Sequence, residues 1–278
     1  MLRRHAIARL LATGAWPKGV AWAKGIDRFF EGAHGCSVLV DRKTRRLIAA
    51  HAPELAGGWA APPGSTLKPL VLDALLERGL VRAGDTFPCP HELRLEGRSF
   101  DCSHPPLPAP LTVRTAIAYS CNCFVAHYAS RFRGGELAFE MERWGLVSRT
   151  NWFGEGEAAG RVWNAPAELQ SLGEDGVVVT PASLALAYCR LASRGAPAVL
   201  AGMADAVEFG TAQRARVTGL KVAGKTGSVR TPAGVHLAWF AGFTDGAVVT
   251  VMLQAKSGGA DAAPIAGRIL EAHWKGQL

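Results

Sequence analysis

The sequence predicts an α+β fold, with one antiparallel sheet of about five strands built from both ends of the chain and a helical subdomain inserted between them. Three observations point to it. Strand-like apolar runs lie only near the two ends, at residues 36–40 and 47–50 and again at 220–228, 236–243 and 247–253. Helical periodicity fills the middle and returns at 261–274 as a closing helix that flanks the sheet. No internal repeat or low-complexity stretch divides the 278 residues. The reading is therefore a single domain over 24–278, with a sheet subdomain at about 24–58 and 215–278 and a helical subdomain at about 59–214.

Each element has its own signal. Asp41-Arg42-Lys43-Thr44 is a turn between the first two strands, so they form a hairpin. Gly57-Gly58 to Gly64 is a loop, and Leu67, Leu70, Val71, Ala74 and Leu75 then repeat at helical spacing. Pro69 is tolerated in the first turn of that helix, and Gly79 ends it. Residues 84–111 are rich in Pro, Cys and His and carry no period; a long excursion of this kind is usually functional or tied down. Thr112 caps a helix beginning at Val113, with Ser120-Cys121-Asn122 at or just past its end. Residues 136–144 form a short amphipathic helix closed by Gly145, and 148–179 read mostly as loop. Thr180-Pro181 starts another helix, which Gly195 stops. Asp245-Gly246 turns the last two strands into a hairpin.

Composition narrows the partners. Hydrophobic residues make up 49% and charged residues 19%, the balance of a folded protein. The formal net charge of +8 permits attraction to an anionic polymer or surface. The basic residues are scattered and do not alternate with aromatics, so no nucleic acid partner is expected. No stretch is long and apolar enough for a transmembrane helix. Residues 1–23 read either as an export segment or as an ordinary amphipathic N-terminus: Arg3-Arg4 opens them and Ala21-Trp22-Ala23 has the form of a cleavage site, while Arg9 interrupts the apolar run.

The chemistry-bearing stretch is Pro62-Pro63-Gly64-Ser65-Thr66-Leu67-Lys68. Ser65 and Lys68 are three residues apart at a helix start, so they share one face, and a hydroxyl beside an amine is a nucleophile–base pair. Alone, S-x-x-K describes equally well a capping serine followed by a surface lysine. Two more short motifs follow in order, Ser120-Cys121-Asn122 and Lys225-Thr226-Gly227. The ordered set, placed on a helix start, a helix end and an edge strand, resembles the active-site motifs of the penicillin-recognising acyl-serine enzymes, the penicillin-binding proteins and serine β-lactamases. The resemblance extends to the 38–44 hairpin, where glycine would be more usual at Arg45, to Gly173-Glu174-Asp175-Gly176, to the Thr180-Pro181 helix and to Ala238-Trp239-Phe240-Ala241-Gly242-Phe243. It spans roughly residues 35–275.

This resemblance implies a β-lactamase/transpeptidase-like fold and a role for each motif residue. Ser65 would be acylated, with Lys68 as its base once burial and the nearby Lys225 charge lower its pKa. Ser120 would relay protons to the leaving amine, and Asn122 would bind a substrate amide. Lys225, Thr226 and Ser228 would hold a substrate carboxylate. The backbone N–H groups of Ser65 and Ser228 would form an oxyanion hole. Gly227 would leave room for substrate backbone along the strand edge. The implied activity is that of a D,D-transpeptidase acting on peptidoglycan stem peptides and inhibited by β-lactams. The enzyme would be exported, periplasmic or otherwise extracytoplasmic, and would work beside cell-wall assembly partners. A D,D-carboxypeptidase differs only in the acyl acceptor. A β-lactamase would need a deacylating base, for which Glu168 and Glu174 fall in a suitable zone without a supporting pattern. A non-enzymatic β-lactam or muropeptide sensor is a further reading, which no signalling segment supports.

No cofactor is required for this chemistry. Cys89, Cys102, His104 and Cys121 nevertheless form a C-x12-C-x-H-x16-C pattern of zinc-ligating residue types. The alternatives are a Cys89–Cys102 disulfide or small buried thiols. Some elongation-type penicillin-binding proteins carry a comparable Cys/His or Asp/His segment there.

Overall fold

A computed structural model of the chain describes residues 25–231 and 233–278. The candidate export segment at 1–23 lies outside the described residues. Five antiparallel strands form the main sheet: β1 (Gly35–Asp41), β2 (Leu47–His51), β3 (Ala223–Arg230), β4 (His236–Phe243) and β5 (Ala247–Leu253), in the order β2-β1-β5-β4-β3. The two ends of the chain thus meet at β1 and β5, where Gly35 faces Leu253 and Asp41 faces Ala247. Strand β3, carrying Lys225-Thr226-Gly227, is left at an edge.

Both faces of the sheet are covered, which is why its strands read as nearly continuous apolar runs. Alternate residues serve different cores. Val38, Val40, Trp239, Ala241 and Met252 pack with the helical subdomain, while Leu39, Phe240, Val249 and Val251 pack with Ile269 and Leu270 of the closing helix. The β1–β2 turn is fixed by Asp41, whose Oδ1 accepts from the Thr44 N–H at 2.7 Å and the Thr44 hydroxyl at 2.8 Å. Arg45 in that turn has φ +58°, the left-handed conformation that explains why glycine is the more usual residue there.

Nine α-helices surround the sheet among the described residues: α1 (Pro53–Gly58), α2 (Lys68–Glu77), α3 (Val113–Ala118), α4 (Asn122–Ala129), α5 (Glu136–Trp144), α6 (Ala167–Ser171), α7 (Pro181–Arg194), α8 (Pro197–Glu208) and α9 (Ala263–Trp274). Capping boxes start α3 at Thr112 and α7 at Thr180, where reciprocal bonds with Thr115 and Ser183 satisfy the first free N–H groups. Helix α7 lies against the sheet, and Thr250 Oγ1 donates to the Pro181 carbonyl at 3.0 Å.

The structure corrects the expected elements in four places. Helix α4 begins directly after α3, because Cys121 Sγ accepts the Phe124 N–H and so acts as an N-cap, a role more usual for an oxygen side chain. Helix α8 begins at Pro197, although Gly195 suggests a stop; its buried Val199, Gly202, Met203, Ala206 and Val207 recur at helical spacing. Residues 220–222 precede β3 instead of belonging to it; Val217 and Leu220 close a small turn there. The stretch 148–179 contains α6 and a two-stranded pairing of Arg161–Val162 with Val177–Val178.

A close approach of two turns positions the Ser65 segment. Gly64 N–H donates to the Gly173 carbonyl at 3.0 Å, and a Cβ added at Gly173 would lie 2.3 Å from the Gly64 oxygen. Gly173 also has φ +70°, so any side chain there is strained as well as crowded. Gly173→Ala is expected to destabilise the fold by about 2 kcal/mol through overpacking, read as a fall of several degrees in Tm. An unchanged Tm would show that this contact is not a constraint.

Candidate active site

Ser65 lies in a 3-10 turn, Gly64–Leu67, that runs directly into α2. The turn is held from two sides. Thr66 Oγ1 donates to the Pro63 carbonyl at 2.7 Å, and the buried Tyr188 hydroxyl of α7 donates to the Thr66 carbonyl at 2.6 Å. Ser65 is half-buried and lines a cavity of about 380 Å³ together with Ser120, Asn122, Thr226 and Ser228. Residues far apart in the chain therefore share one pocket: a helix start, a helix–helix junction and an edge strand.

Lys68 points into the same region, and its side chain is 0% exposed. Its Nζ donates to the Ser120 carbonyl at 2.7 Å, to Asn122 Oδ1 and, at 3.4 Å, to Ser120 Oγ. Lys225, also 0% exposed, reaches the same hydroxyl from the other side. Its Nζ donates to Ser120 Oγ at 2.8 Å and to the Thr226 carbonyl at 2.9 Å. Ser120 Oγ thus bridges two amines. Burial lowers the Lys68 pKa to about 8, against which the neighbouring thiols and Glu174 act weakly. Burial also pushes Lys225 well below its ordinary value, with the Lys68 charge as a second cause. The expected repulsion therefore bears on Lys225, while Lys68 is shifted by desolvation.

Ser120 has φ +58°, unusual for a residue with a side chain. The left-handed turn closes α3, with Cys121 N–H donating to the Ala116 carbonyl at 2.9 Å. Asn122 is anchored from a third segment: its Nδ2 donates to the Phe100 carbonyl at 2.7 Å. One Nδ2 hydrogen and one Oδ1 lone pair remain for a ligand.

Thr226 Oγ1 donates to Thr211 Oγ1 at 3.1 Å, and Ser228 Oγ accepts from Gly258 N–H at 3.0 Å, leaving the Ser228 hydroxyl proton available. Gly227 also makes room within the protein itself. A Cβ there would lie 2.7 Å from the Pro63 carbonyl, within the turn that carries Ser65. Phe100, Ser103, Leu172, Thr211 and Ser257 also line the pocket, with no motif to announce them, as does Glu174 of the Gly173-Glu174-Asp175-Gly176 stretch. Glu174 is the carboxylate among them; burial raises its pKa, opposed by Arg98 and Lys68.

The thiols cluster beside this site. Cys89, Cys102, Cys121 and His104 bring one ligand atom each within 4.8 Å of one another. The three sulfurs form a triangle with edges of 3.7, 3.6 and 3.5 Å. A tetrahedral zinc–thiolate site has a sulfur–sulfur edge of about 3.8 Å. Each sulfur accepts a backbone N–H: Cys89 from His91 at 3.3 Å, Cys102 from Asn122 at 3.2 Å and Cys121 from Phe124 at 3.3 Å. Hydrogen bonds, chiefly from Cys121, hold the Cys102 thiol down to about 4. His104 pairs through Nδ1 with the Pro105 carbonyl at 2.9 Å, while its buried Nε2 has no hydrogen-bond partner among the described residues. The donor set fits a metal ion. Cys89 and Cys102 are both free thiols in this structure, with sulfurs 3.7 Å apart. Cys123 is a further thiol, 3.5 Å from Cys102 Sγ, outside the four-residue set.

Residues 35–205 match the family described as the penicillin binding protein transpeptidase domain. The chain belongs to that family. The matched stretch contains Ser65 and Ser120 and ends before Lys225. As expected of a penicillin-binding transpeptidase domain, the fold recurs in solved structures. Pseudomonas aeruginosa PBP2 in complex with WCK 5153 has a TM-score of 0.78 at 20% identity, covering 90% of this chain and 75% of that one. Penicillin-binding protein PBP2 in complex with MreC from Helicobacter pylori also scores 0.78, at 16% identity, covering 91% and 62%. A peptidoglycan synthase complex that coordinates polymerization and crosslinking scores 0.74 at 22% identity, covering 87% and 56%. At these identities the likeness is one of fold. A search of curated protein sequences finds no match. Among the described residues, no helix is long and apolar enough to cross a membrane.

Proposed function

We propose that this transpeptidase-family chain is a D,D-transpeptidase that acylates Ser65 with peptidoglycan stem peptides and is inhibited by β-lactams. The observation that carries the reading is the buried chain Lys68 Nζ–Ser120 Oγ–Lys225 Nζ, whose central Ser120 lines the same cavity as Ser65. Neutral Lys68 takes the Ser65 hydroxyl proton as Oγ bonds to the scissile carbonyl carbon. With a pKa of about 8, Lys68 is neutral in about a tenth of molecules at pH 7 and in most of them above pH 8. The tetrahedral oxyanion is met by the backbone N–H groups of Ser65 and Ser228. The carbon–nitrogen bond then breaks, and the leaving amine takes its proton from Lys68 through Ser120. An amine acceptor next attacks the acyl-enzyme and restores Ser65.

Thr226 and Ser228 hold the terminal carboxylate of the donor. Lys225 gives two of its three N–H groups to Ser120 and the Thr226 carbonyl, and the third is available to that carboxylate. Asn122 binds a donor amide. This chemistry takes place on cell-wall polymer, so the reading includes export to the periplasm or its equivalent and work beside cell-wall assembly proteins, as MreC accompanies the Helicobacter relative.

A second reading is favoured by one specific feature, the Glu174 carboxylate in the Ser65 cavity. It places a base where water could be activated, giving a D,D-carboxypeptidase or β-lactamase. Intact-mass measurement of a penicillin adduct over time separates the readings. A long-lived adduct supports the transpeptidase, and rapid return to the free mass supports hydrolysis. The labelling rate is expected to rise with pH toward about 8. Ser65→Ala is expected to abolish the adduct; a persisting adduct would show that another residue is the nucleophile.

We further propose a structural zinc ion held by Cys89, Cys102, Cys121 and His104. It would supply a cross-link between the 84–111 excursion and the Ser120-Cys121-Asn122 junction, with no part in bond making. Elemental analysis of purified protein is expected to find about one zinc per chain, lost in Cys102→Ser. Metal-free wild-type protein with full stability would overturn this assignment.

A further inference from the structure

Cys123 belongs to the thiol cluster, yet neither the acyl-serine chemistry nor the four-residue metal set gives it a task. Its sulfur lies 3.5 Å from Cys102 Sγ and donates to the Glu92 carbonyl over a long 3.6 Å. Cys102 is the pivot of the cluster, with the Cys89, Cys121 and Cys123 sulfurs 3.7, 3.6 and 3.5 Å away. The two thiols differ in access. Cys102 is half-buried between the exposed Asp101 and Ser103, whereas Cys123 is buried in the first turn of α4. A small oxidant from solvent therefore meets Cys102 first, with Cys123 behind it. When the four-residue set holds a metal, Cys123 is the thiol left over; without a metal, the same two sulfurs are still neighbours. Cys121 is worse placed as a partner. It is fully buried, and its sulfur caps α4 by accepting the Phe124 N–H, so bonding it would disturb that helix start.

The pair is wired to the active site through Asn122. Cys102 Sγ accepts the Asn122 N–H at 3.2 Å, and Asn122 lies next to Cys123 in the chain. Asn122 Oδ1 accepts from Lys68 Nζ, and its Nδ2 donates to the carbonyl of Phe100, two residues before Cys102. A disulfide needs its sulfurs about 2 Å apart, so closing the 3.5 Å gap draws Cys102 away from the Asn122 N–H. It also pulls the 84–111 excursion toward α4, and both movements bear on the residue that holds Lys68.

We propose that Cys102 and Cys123 are an oxidation site, forming a reversible disulfide with a peroxide as oxidant, and that this modification slows acylation of Ser65. The pairing goes beyond the acyl-serine reading, while its effect on Ser65 rests on that reading. The Cys102 sulfur attacks one peroxide oxygen and the O–O bond breaks. A sulfenic acid forms on Cys102, and the other oxygen leaves as water with the Cys102 proton. The Cys123 sulfur then displaces the sulfenic hydroxyl. The S–S bond forms, the S–O bond breaks, and the hydroxyl leaves as water with the Cys123 proton. In sum, two thiols lose two hydrogens and two electrons, and one hydrogen peroxide becomes two waters.

The test treats the reduced full chain with hydrogen peroxide, blocks remaining thiols and maps the unreduced digest by mass, with fragmentation to tell Cys121 from Cys123. A bridge joining Cys102 to Cys123 is expected. Labelling by a fluorescent penicillin should slow about tenfold in the oxidised protein, the scale of one hydrogen bond lost at the site, and recover with dithiothreitol. Cys123→Ser is expected to label at the wild-type rate when reduced and to keep that rate after the same treatment. Cys123→Ala is a second variant with the same expectation, and labelling of the reduced forms selects folded protein. A bridge to Cys89 or Cys121 instead, or no bridge in wild type, would overturn the pair. Unchanged labelling of the bridged protein, or equal slowing of the Cys123 variants, would overturn the effect on Ser65 alone. Reduced wild type that takes no label would overturn the acyl-serine reading, and the peptide map would still decide the pair.

Discussion

Two lysine side chains buried around one serine hydroxyl are the constraint on which the rest of the site depends. Removing an ammonium group from water is costly, and here Lys68 and Lys225 are both fully enclosed. Neighbours must supply the hydrogen bonds that water no longer makes. Ser120 does so twice, through its carbonyl to Lys68 and through its hydroxyl to both amines. Its left-handed backbone is what lets one residue face both amines, and a strained conformation at such a point is common in functional sites. Desolvation brings Lys68 to a pKa of about 8, within reach of neutral pH, where an amine can act as a base.

The surrounding fold holds this arrangement still. The Ser65 turn is clamped between Gly173 and Gly227, which bring two backbones into contact distance, and is tied to α7 through Tyr188. The Asn122 amide, which accepts from Lys68, is itself anchored by Phe100 in the 84–111 excursion. The thiol cluster lies at the base of that excursion, and Cys102 Sγ accepts the Asn122 N–H. A loop with little secondary structure is thereby joined to the junction between α3 and α4. This joins the long excursion to the pocket it borders.

Much of the fold was legible because its signals are local. The five strands stand out as apolar runs, and α5 and α7 are announced by Gly145 and by Thr180-Pro181. Helix α4 was not, because a cysteine sulfur caps it, and α8 follows a glycine that normally ends a helix. In the site, motif order identified Ser65, Lys68, Ser120, Asn122 and Lys225-Thr226-Gly227, all of which the structure brings to one place. Tyr188, Phe100 and Thr211 were not identified as site residues, and Glu174 only as one of two acidic candidates beside Glu168. Tyr188 reads as one member of an apolar stripe, Phe100 contributes through its carbonyl, and Thr211 comes from a loop without period.

The sequence by itself determined the residue types of the chemistry, their order, and the strand and helix signals that carry them, since each depends on neighbours a few positions away. Tertiary structure alone decided the relations among them. It made desolvation, more than charge repulsion, the cause of the Lys68 shift, and gave Gly227 the task of admitting the Ser65 turn. It also brought the Cys89, Cys102 and Cys121 sulfurs within 3.7 Å of one another. Those are matters of distance and burial between segments remote in the chain, and the packing of sheet against helices is what sets them.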